Sequence, residues 1–244
     1  MPRRAGRHSV GRMPVAIVTG ASRGLGRALA SGLADTGWRL VIDARGAGPL
    51  EDARAALAER TDVVAIAGDI ADAGHRAALV AAAAELGGPD LLVNNAGILG
   101  TSPLPPVAGY PLDDLREVFE VNVVAQVALA QLALPALRDR GGAVVTVTSD
   151  AAVEPYPGWG GYGSAKAALE QVSRVLAAEE PDVRVWCVDP GDLRTAMHQD
   201  AFPGEDISDR PPPEHAVPAF LRLLATRPPS GRYRAADLLA GADS

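Results

Sequence analysis

Short runs of aliphatic and β-branched residues alternate along this chain with longer stretches in which apolar side chains return every three or four positions. Val15-Ala16-Ile17-Val18 is continuously apolar and predicts a buried strand; Leu25, Ala28, Leu29 and Leu33 then recur at helical spacing. Leu40-Val41-Ile42 predicts a second strand and residues 50–60 a second helix. Val63–Ala67 and 72–86 repeat the pair. Leu91-Leu92-Val93 reads as a fourth strand, Leu112 to Arg138 as a long helix and Ala143–Thr148 as a fifth strand. Residues 160–179 read as a fifth helix and Val183–Val188 as a sixth strand. A helix near 214–225 and a short strand around Gly231–Ala235 close the series.

Strand and helix in regular alternation imply right-handed crossovers and a parallel sheet covered on both faces, which suits strands that are apolar throughout. The expected fold is a single-domain α/β, Rossmann-type, doubly wound sheet of about seven strands with helices on both faces. It should occupy residues 13–244, and no internal boundary is visible. Residues 1–12 carry Arg3, Arg4, Arg7 and Arg12 with no acid and no following apolar run, so a solvated, disordered extension is expected rather than a targeting signal. Met13 would suit as the native start. Residues 192–213 are rich in Asp and Pro and end in Pro211-Pro212-Pro213; they are too long for an ordinary connection, so they form a lid or a disordered linker.

Hydrophobic residues make up 48% of the chain and aromatics only 4%. The excess lies in Ala, Val and Leu, which favours close helix-on-sheet packing. The net charge of −7 argues against nucleic acid and anionic membranes as partners. No uninterrupted apolar run approaches the roughly 20 residues of a membrane span, so no membrane is expected and the location is read as cytoplasmic. The lone cysteine, Cys187, lies in an apolar strand and reads as a buried, inert thiol. His8, His75, His198 and His215 have no metal-ligand spacing, and no metal site is expected. Asp113-Asp114 reads as helix capping.

Strand one runs directly into Thr19-Gly20-Ala21-Ser22-Arg23-Gly24-Leu25-Gly26, and a helix follows. Glycines let a backbone approach a pyrophosphate, and a helix N-terminus offers free N–H groups and positive dipole. In this context the turn predicts a dinucleotide site. The end of strand two should face the adenosine ribose. Arg45, nineteen residues past Gly26, and Arg23 in the turn itself suit the 2′-phosphate of NADP, whereas Asp43 pointing at the ribose would favour NAD. The expected cofactor is NADP, with NAD the alternative.

From residue 14 to about 236 the motifs together resemble the short-chain dehydrogenase/reductase family, in its short single-domain branch. The residues that match the cofactor turn are Gly20, Ser22, Arg23, Gly24, Leu25 and Gly26. Gly68-Asp69-Ile70 resembles the element whose aspartate touches adenine. Asn94-Asn95-Ala96-Gly97 resembles the stretch that lines the cofactor and steadies the sheet. Val121-Asn122-Val123 is similar to the helix position whose asparagine supports a proton-relay water. Ser149, Tyr162 and Lys166 look like the catalytic serine and the YxxxK pair, with the family's common spacing of thirteen residues between serine and tyrosine. Asp189-Pro190-Gly191 with Thr195 resembles the motif beside the nicotinamide, whose threonine binds the carboxamide. The resemblance further implies a homo-oligomer, dimer or tetramer, built on the two long helices. Asp150 departs from the small or neutral residue expected after the serine, and Ser230-Gly231-Arg232-Tyr233-Arg234 matches the last strand only loosely.

Tyr162 and Lys166 stand one turn apart on one helical face. A free tyrosine titrates near pH 10, and a nearby ammonium lowers that value, so Tyr162 is expected to act as general acid in reduction and general base in oxidation. Ser149 would polarise the carbonyl, Lys166 would also hold the nicotinamide ribose, and Asn122 would hold a water leading to solvent. Leu99, Val153, Tyr156, Trp159, Met197 and Phe202 are candidate pocket walls. They point to an apolar or aromatic ketone, aldehyde or secondary alcohol, while Tyr156 and Trp159 would serve equally as simple packing. Two rivals are a ketoacyl-carrier-protein reductase, which the acidic charge disfavours, and a non-catalytic dinucleotide sensor, which predicts a broken Ser/Tyr/Lys set.

Overall fold

A computed structural model describes residues 12–240. In chain order its elements begin β1 (Val15–Val18), α1 (Gly24–Asp35), β2 (Arg39–Ala44), α2 (Ala47–Ala58), β3 (Val63–Ala67), α3 (Ala73–Glu85) and β4 (Leu91–Asn94). Next come α4 (Leu112–Phe119), a π-helical turn (Glu120–Val124), α5 (Ala125–Arg140) and β5 (Ala143–Val147). The chain continues as α6 (Gly160–Glu179), β6 (Arg184–Asp189), α7 (Ala196–Ala201), α8 (Val217–Thr226), β7 (Gly231–Arg234) and α9 (Ala235–Ala240). The strands form one parallel sheet in the order β3-β2-β1-β4-β5-β6-β7.

Period-two geometry explains why the strands are apolar throughout. In β1, Ala16 and Val18 face the core layer shared with α1 and α8, while Val15 and Ile17 face the layer under α3 and α5. The order reverses between β1 and β4, which opens a crevice at the carboxyl ends of these strands.

Four local findings refine the expectations. Arg12 belongs to the fold rather than to the expected extension: its guanidinium pairs with Asp90 at 2.6 Å and donates to the Gly87 carbonyl. Residues 1–11, with Arg3, Arg4, Arg7 and His8, lie outside the described part. Leu112–Arg140 runs as one helical stretch of 29 residues, long and apolar enough for a membrane span. Its apolarity has a local cause, since Leu129, Ala133 and Leu137 are buried in the layer beneath α5. Residues 192–213 are built rather than linker-like: the Arg194 N–H donates to the Pro211 carbonyl at 2.8 Å, and the Gln199 amide donates to the Phe202 and Glu205 carbonyls. The closing helix α9 leaves no periodic signature in the sequence, because six residues are too few to display a helical period.

Candidate active site

A cavity of about 980 Å³ fills the crevice at the carboxyl ends of the strands. The residues named for catalysis and for the cofactor line it, except Asn122 and, in the Asn94–Gly97 stretch, Asn94. Its two ends differ chemically: glycines and arginines at one, hydroxyls, Lys166 and aromatic rings at the other.

The glycine end is braced from β4. Thr19 Oγ1 accepts the N–H groups of Asn95 and Ala96 at 3.0 and 2.9 Å, and the Asn95 amide donates to the Thr19 carbonyl at 2.8 Å. Gly20 has φ +67, a left-handed conformation that favours glycine. At Gly26 the requirement is space: a Cβ would lie 2.3 Å from the Gly20 carbonyl oxygen and 2.4 Å from Asn95 Nδ2. Glycine at these two places lets the turn bring the N-terminus of α1 to the cavity wall.

Asp43 has both carboxylate oxygens engaged by the protein itself, which leaves the charge of the ribose end to Arg23 and Arg45. It is 2% exposed; Oδ1 accepts the Gly20 N–H at 2.7 Å and Oδ2 takes His75 Nε2 at 3.0 Å. Since a carboxylate oxygen accepts, Nε2 is the donating nitrogen. Strand alternation turns Asp43 beneath the glycine turn, and Arg45 follows in the exposed loop. Arg23 and Arg45 line the cavity, and neither guanidinium has a hydrogen-bond or ion-pair partner among the described residues. Two free cations beside a helix N-terminus fit an elongated, multiply anionic dinucleotide. Asp69 lines the same end, with one oxygen accepting the Ala71 N–H at 2.9 Å.

At the other end, Tyr162 and Lys166 are buried on α6 against β5. Lys166 Nζ donates to the Val147 carbonyl at 2.9 Å and sits 5.5 Å from the Tyr162 ring centre. The protein's own groups do not lower the phenol's pKa as expected. Burial raises it well above its usual value, and the Asp150 and Asp189 carboxylates add to the effect. Burial also pushes the Lys166 ammonium down from 10.5 to about 8. Desolvation outweighs the lysine's field because both groups lie wholly inside the protein. Ser149, at the end of β5, donates to Asp150 Oδ1 at 2.9 Å and accepts the Ala151 N–H at 3.2 Å.

Asn122 lies in the π-helical turn, a feature frequent at functional sites. Both ends of its amide are taken by Ile98: Oδ1 accepts the N–H and Nδ2 donates to the carbonyl, each at 2.8 Å. The side chain thus fixes the loop after β4. Gly191 donates its N–H to Asp189 at 3.0 Å, and Thr195 Oγ1 caps α7 by accepting the His198 N–H at 3.1 Å. Of the predicted walls, Leu99, Tyr156, Trp159, Met197 and Phe202 line the cavity; Val153 is 53% exposed and does not. Cys187 is buried, and burial pushes its thiol up to about 11.

Arg232 is the residue that sequence reasoning missed. Its guanidinium donates to Glu170 at 2.9 Å, to Asp189 at 3.0 Å and to the Ser149 carbonyl at 3.2 Å. It ties β7 to the serine, to α6 and to the strand end before Pro190. The weak strand pattern around Gly231 gave no sign of this, because the partners are 43 to 83 residues away.

The comparisons agree with this geometry. The sequence model described as short chain dehydrogenase matches residues 14–206. Sepiapterin reductase of Mus musculus is 36% identical over 199 residues, covering 76% of each chain. An alcohol dehydrogenase of the archaeon Thermococcus sibiricus, complexed with 5-hydroxy-NADP, superposes with a TM-score of 0.83 at 28% identity, covering 91% of this chain and 96% of its own. A short chain dehydrogenase from Shigella flexneri complexed with NADP superposes with a TM-score of 0.84 at 28% identity, covering 92% and 97%. The chain belongs to the short chain dehydrogenase/reductase family of oxidoreductases.

Proposed function

We propose that the protein is an NADP(H)-dependent reductase of a ketone or aldehyde, working reversibly on the secondary alcohol. The observation that carries this reading is one cavity with two guanidiniums, Arg23 and Arg45, that have no partner among the described residues, at one end and Ser149, Tyr162 and Lys166 at the other. Two of the structures it resembles hold NADP or a derivative of it. Arg23 and Arg45 would take the 2′-phosphate and the start of α1 the pyrophosphate. Bound there, NADPH supplies the hydride.

Ser149 turns its hydroxyl from Asp150 to the substrate oxygen and stabilises the growing negative charge. Tyr162, held as the neutral phenol by burial, gives its proton to that oxygen. Lys166, whose pKa of about 8 lets it exchange protons near neutrality, returns one to the phenolate. Asn122 keeps the loop after β4 in place and acts as a positioning residue. Exposed Val124, Leu132, Val172 and Val175 on the outer faces of the long helices favour a homo-oligomer through those helices.

Calorimetric titration with NADPH and NADH tests the cofactor end. NADPH should bind at least tenfold tighter, and Arg45→Ala should remove most of that difference. Equal losses for both cofactors would rule out phosphate recognition by Arg45. Tyr162→Phe should lose turnover at least a thousandfold while keeping NADPH affinity within about twofold. Binding without turnover of any carbonyl by the unmodified protein would favour a sensor.

A further inference from the structure

The cavity contains a carboxylate that the chemistry above does not use. Asp150 follows Ser149 directly and lines the substrate end. Its oxygens accept three neutral donors: the Ser149 hydroxyl at 2.9 Å, the Ala151 N–H at 2.8 Å and the Tyr156 phenol at 3.0 Å. A carboxylate offers about four acceptor positions, so one remains. Three other acids nearby have cations. Asp189 and Glu170 take Arg232 at 3.0 and 2.9 Å, and Asp192 takes Arg210 at 3.6 Å. Among the described residues no Lys, Arg or His side chain lies within ion-pair distance of Asp150.

Aromatic rings stand around the same space. Trp159 meets Tyr162 edge to face, with ring centres 5.8 Å apart, and Phe202 at 6.0 Å. An unpaired carboxylate beside aromatic rings is the chemistry that receives a cationic nitrogen. The geometry also limits where that nitrogen sits. A carbonyl oxygen bonded to Ser149 is within two hydrogen-bond lengths, about 6 Å, of the Asp150 carboxylate. That reach suits an amine one or two carbons from the carbonyl.

We propose that Asp150 is a specificity-determining residue that selects carbonyl substrates bearing a protonated amine near the carbonyl, with Tyr156, Trp159 and Phe202 completing the seat. This rests on the reading of Ser149 and Tyr162 as the groups that hold the reacting oxygen. The reaction is unchanged: the carbonyl carbon gains a hydride, its oxygen a proton, NADPH becomes NADP+, and the amine is a spectator. The proposal also explains how an acid is tolerated beside Tyr162. After burial, Asp150 is the next cause holding that phenol's pKa up, and a cationic substrate offsets its charge.

The test compares kcat/KM for β-aminopropiophenone, as its ammonium ion, with butyrophenone, which carries a methyl where the former has the ammonium. Both are measured at saturating NADPH in the unmodified protein and in Asp150→Asn. The ratio of the two substrates cancels any effect of the variant on Ser149. The unmodified protein should favour the amino ketone at least tenfold, and Asp150→Asn should bring the ratio to about one. An unchanged ratio in the variant, or a preference for butyrophenone in the unmodified protein, overturns the proposal. Failure of the underlying reading appears separately, as no turnover of either ketone. Calorimetric binding of the amino alcohol product with NADP+ present then decides about Asp150, and equal affinities for the unmodified protein and the variant reject it.

Discussion

Lys166 is 4% exposed, and its ammonium has one backbone partner, the Val147 carbonyl. Burial moves its pKa from 10.5 to about 8. A depression of that size corresponds to about 3 kcal/mol of lost stability at neutral pH. The sign follows from proton counting. Between about pH 8 and 10.5 the unfolded chain holds a proton that the native protein has released, so stability rises with pH across this window and the full cost is present below it. Lys166→Met keeps the length and removes the charge, at the expense of an unpaired Val147 carbonyl worth about 1 kcal/mol. The variant should therefore be inactive yet more stable than the unmodified protein by about 2 kcal/mol near pH 7. That advantage should shrink by about 2 kcal/mol by about pH 9.5, where about three fifths of the desolvation cost has been relieved. For a chain of this length the change amounts to about 4 °C in Tm. The assay is thermal unfolding of both proteins at the two pH values, and taking the difference cancels every group they share. A gap that stays constant across the window would mean that the ammonium is not desolvated and would refute the argument.

Other outcomes follow from single contacts. Asp43→Ala leaves the Gly20 N–H without its partner, so it should cost about 1–3 kcal/mol in unfolding experiments and raise KM for NADPH while leaving kcat nearly unchanged. Gly26→Ala places a Cβ 2.3 Å from a backbone oxygen, so it should cost about 1–3 kcal/mol and weaken NADPH binding at least tenfold by calorimetry. Arg232→Met strips Glu170 and Asp189 of their shared cation and should cost about 3 kcal/mol in denaturant unfolding. It should also lower kcat, because the Ser149 backbone loses its tether.

Much of this protein is legible in its sequence because the relevant physics is local. Continuous apolar runs such as Val15–Val18 announce strands buried on both faces, and a glycine turn between strand and helix announces an anion seat. The four-residue step from Tyr162 to Lys166 places both on one helical face. Residue type and spacing are enough for such inferences, since the helical and strand periods are fixed by backbone geometry. What only the tertiary structure decided depends on which distant groups share an environment. Asp43 keeps NAD open as the alternative until the fold sets His75 and Gly20 against it. Tyr162 reads as an acidified phenol until burial is counted, and desolvation has no signature in spacing. Arg232 sits in an unremarkable strand and becomes the tie for Ser149, Glu170 and Asp189 because the parallel order brings β7 beside β6. Short-range periodicity determined the elements; long-range packing assigned the charges their partners.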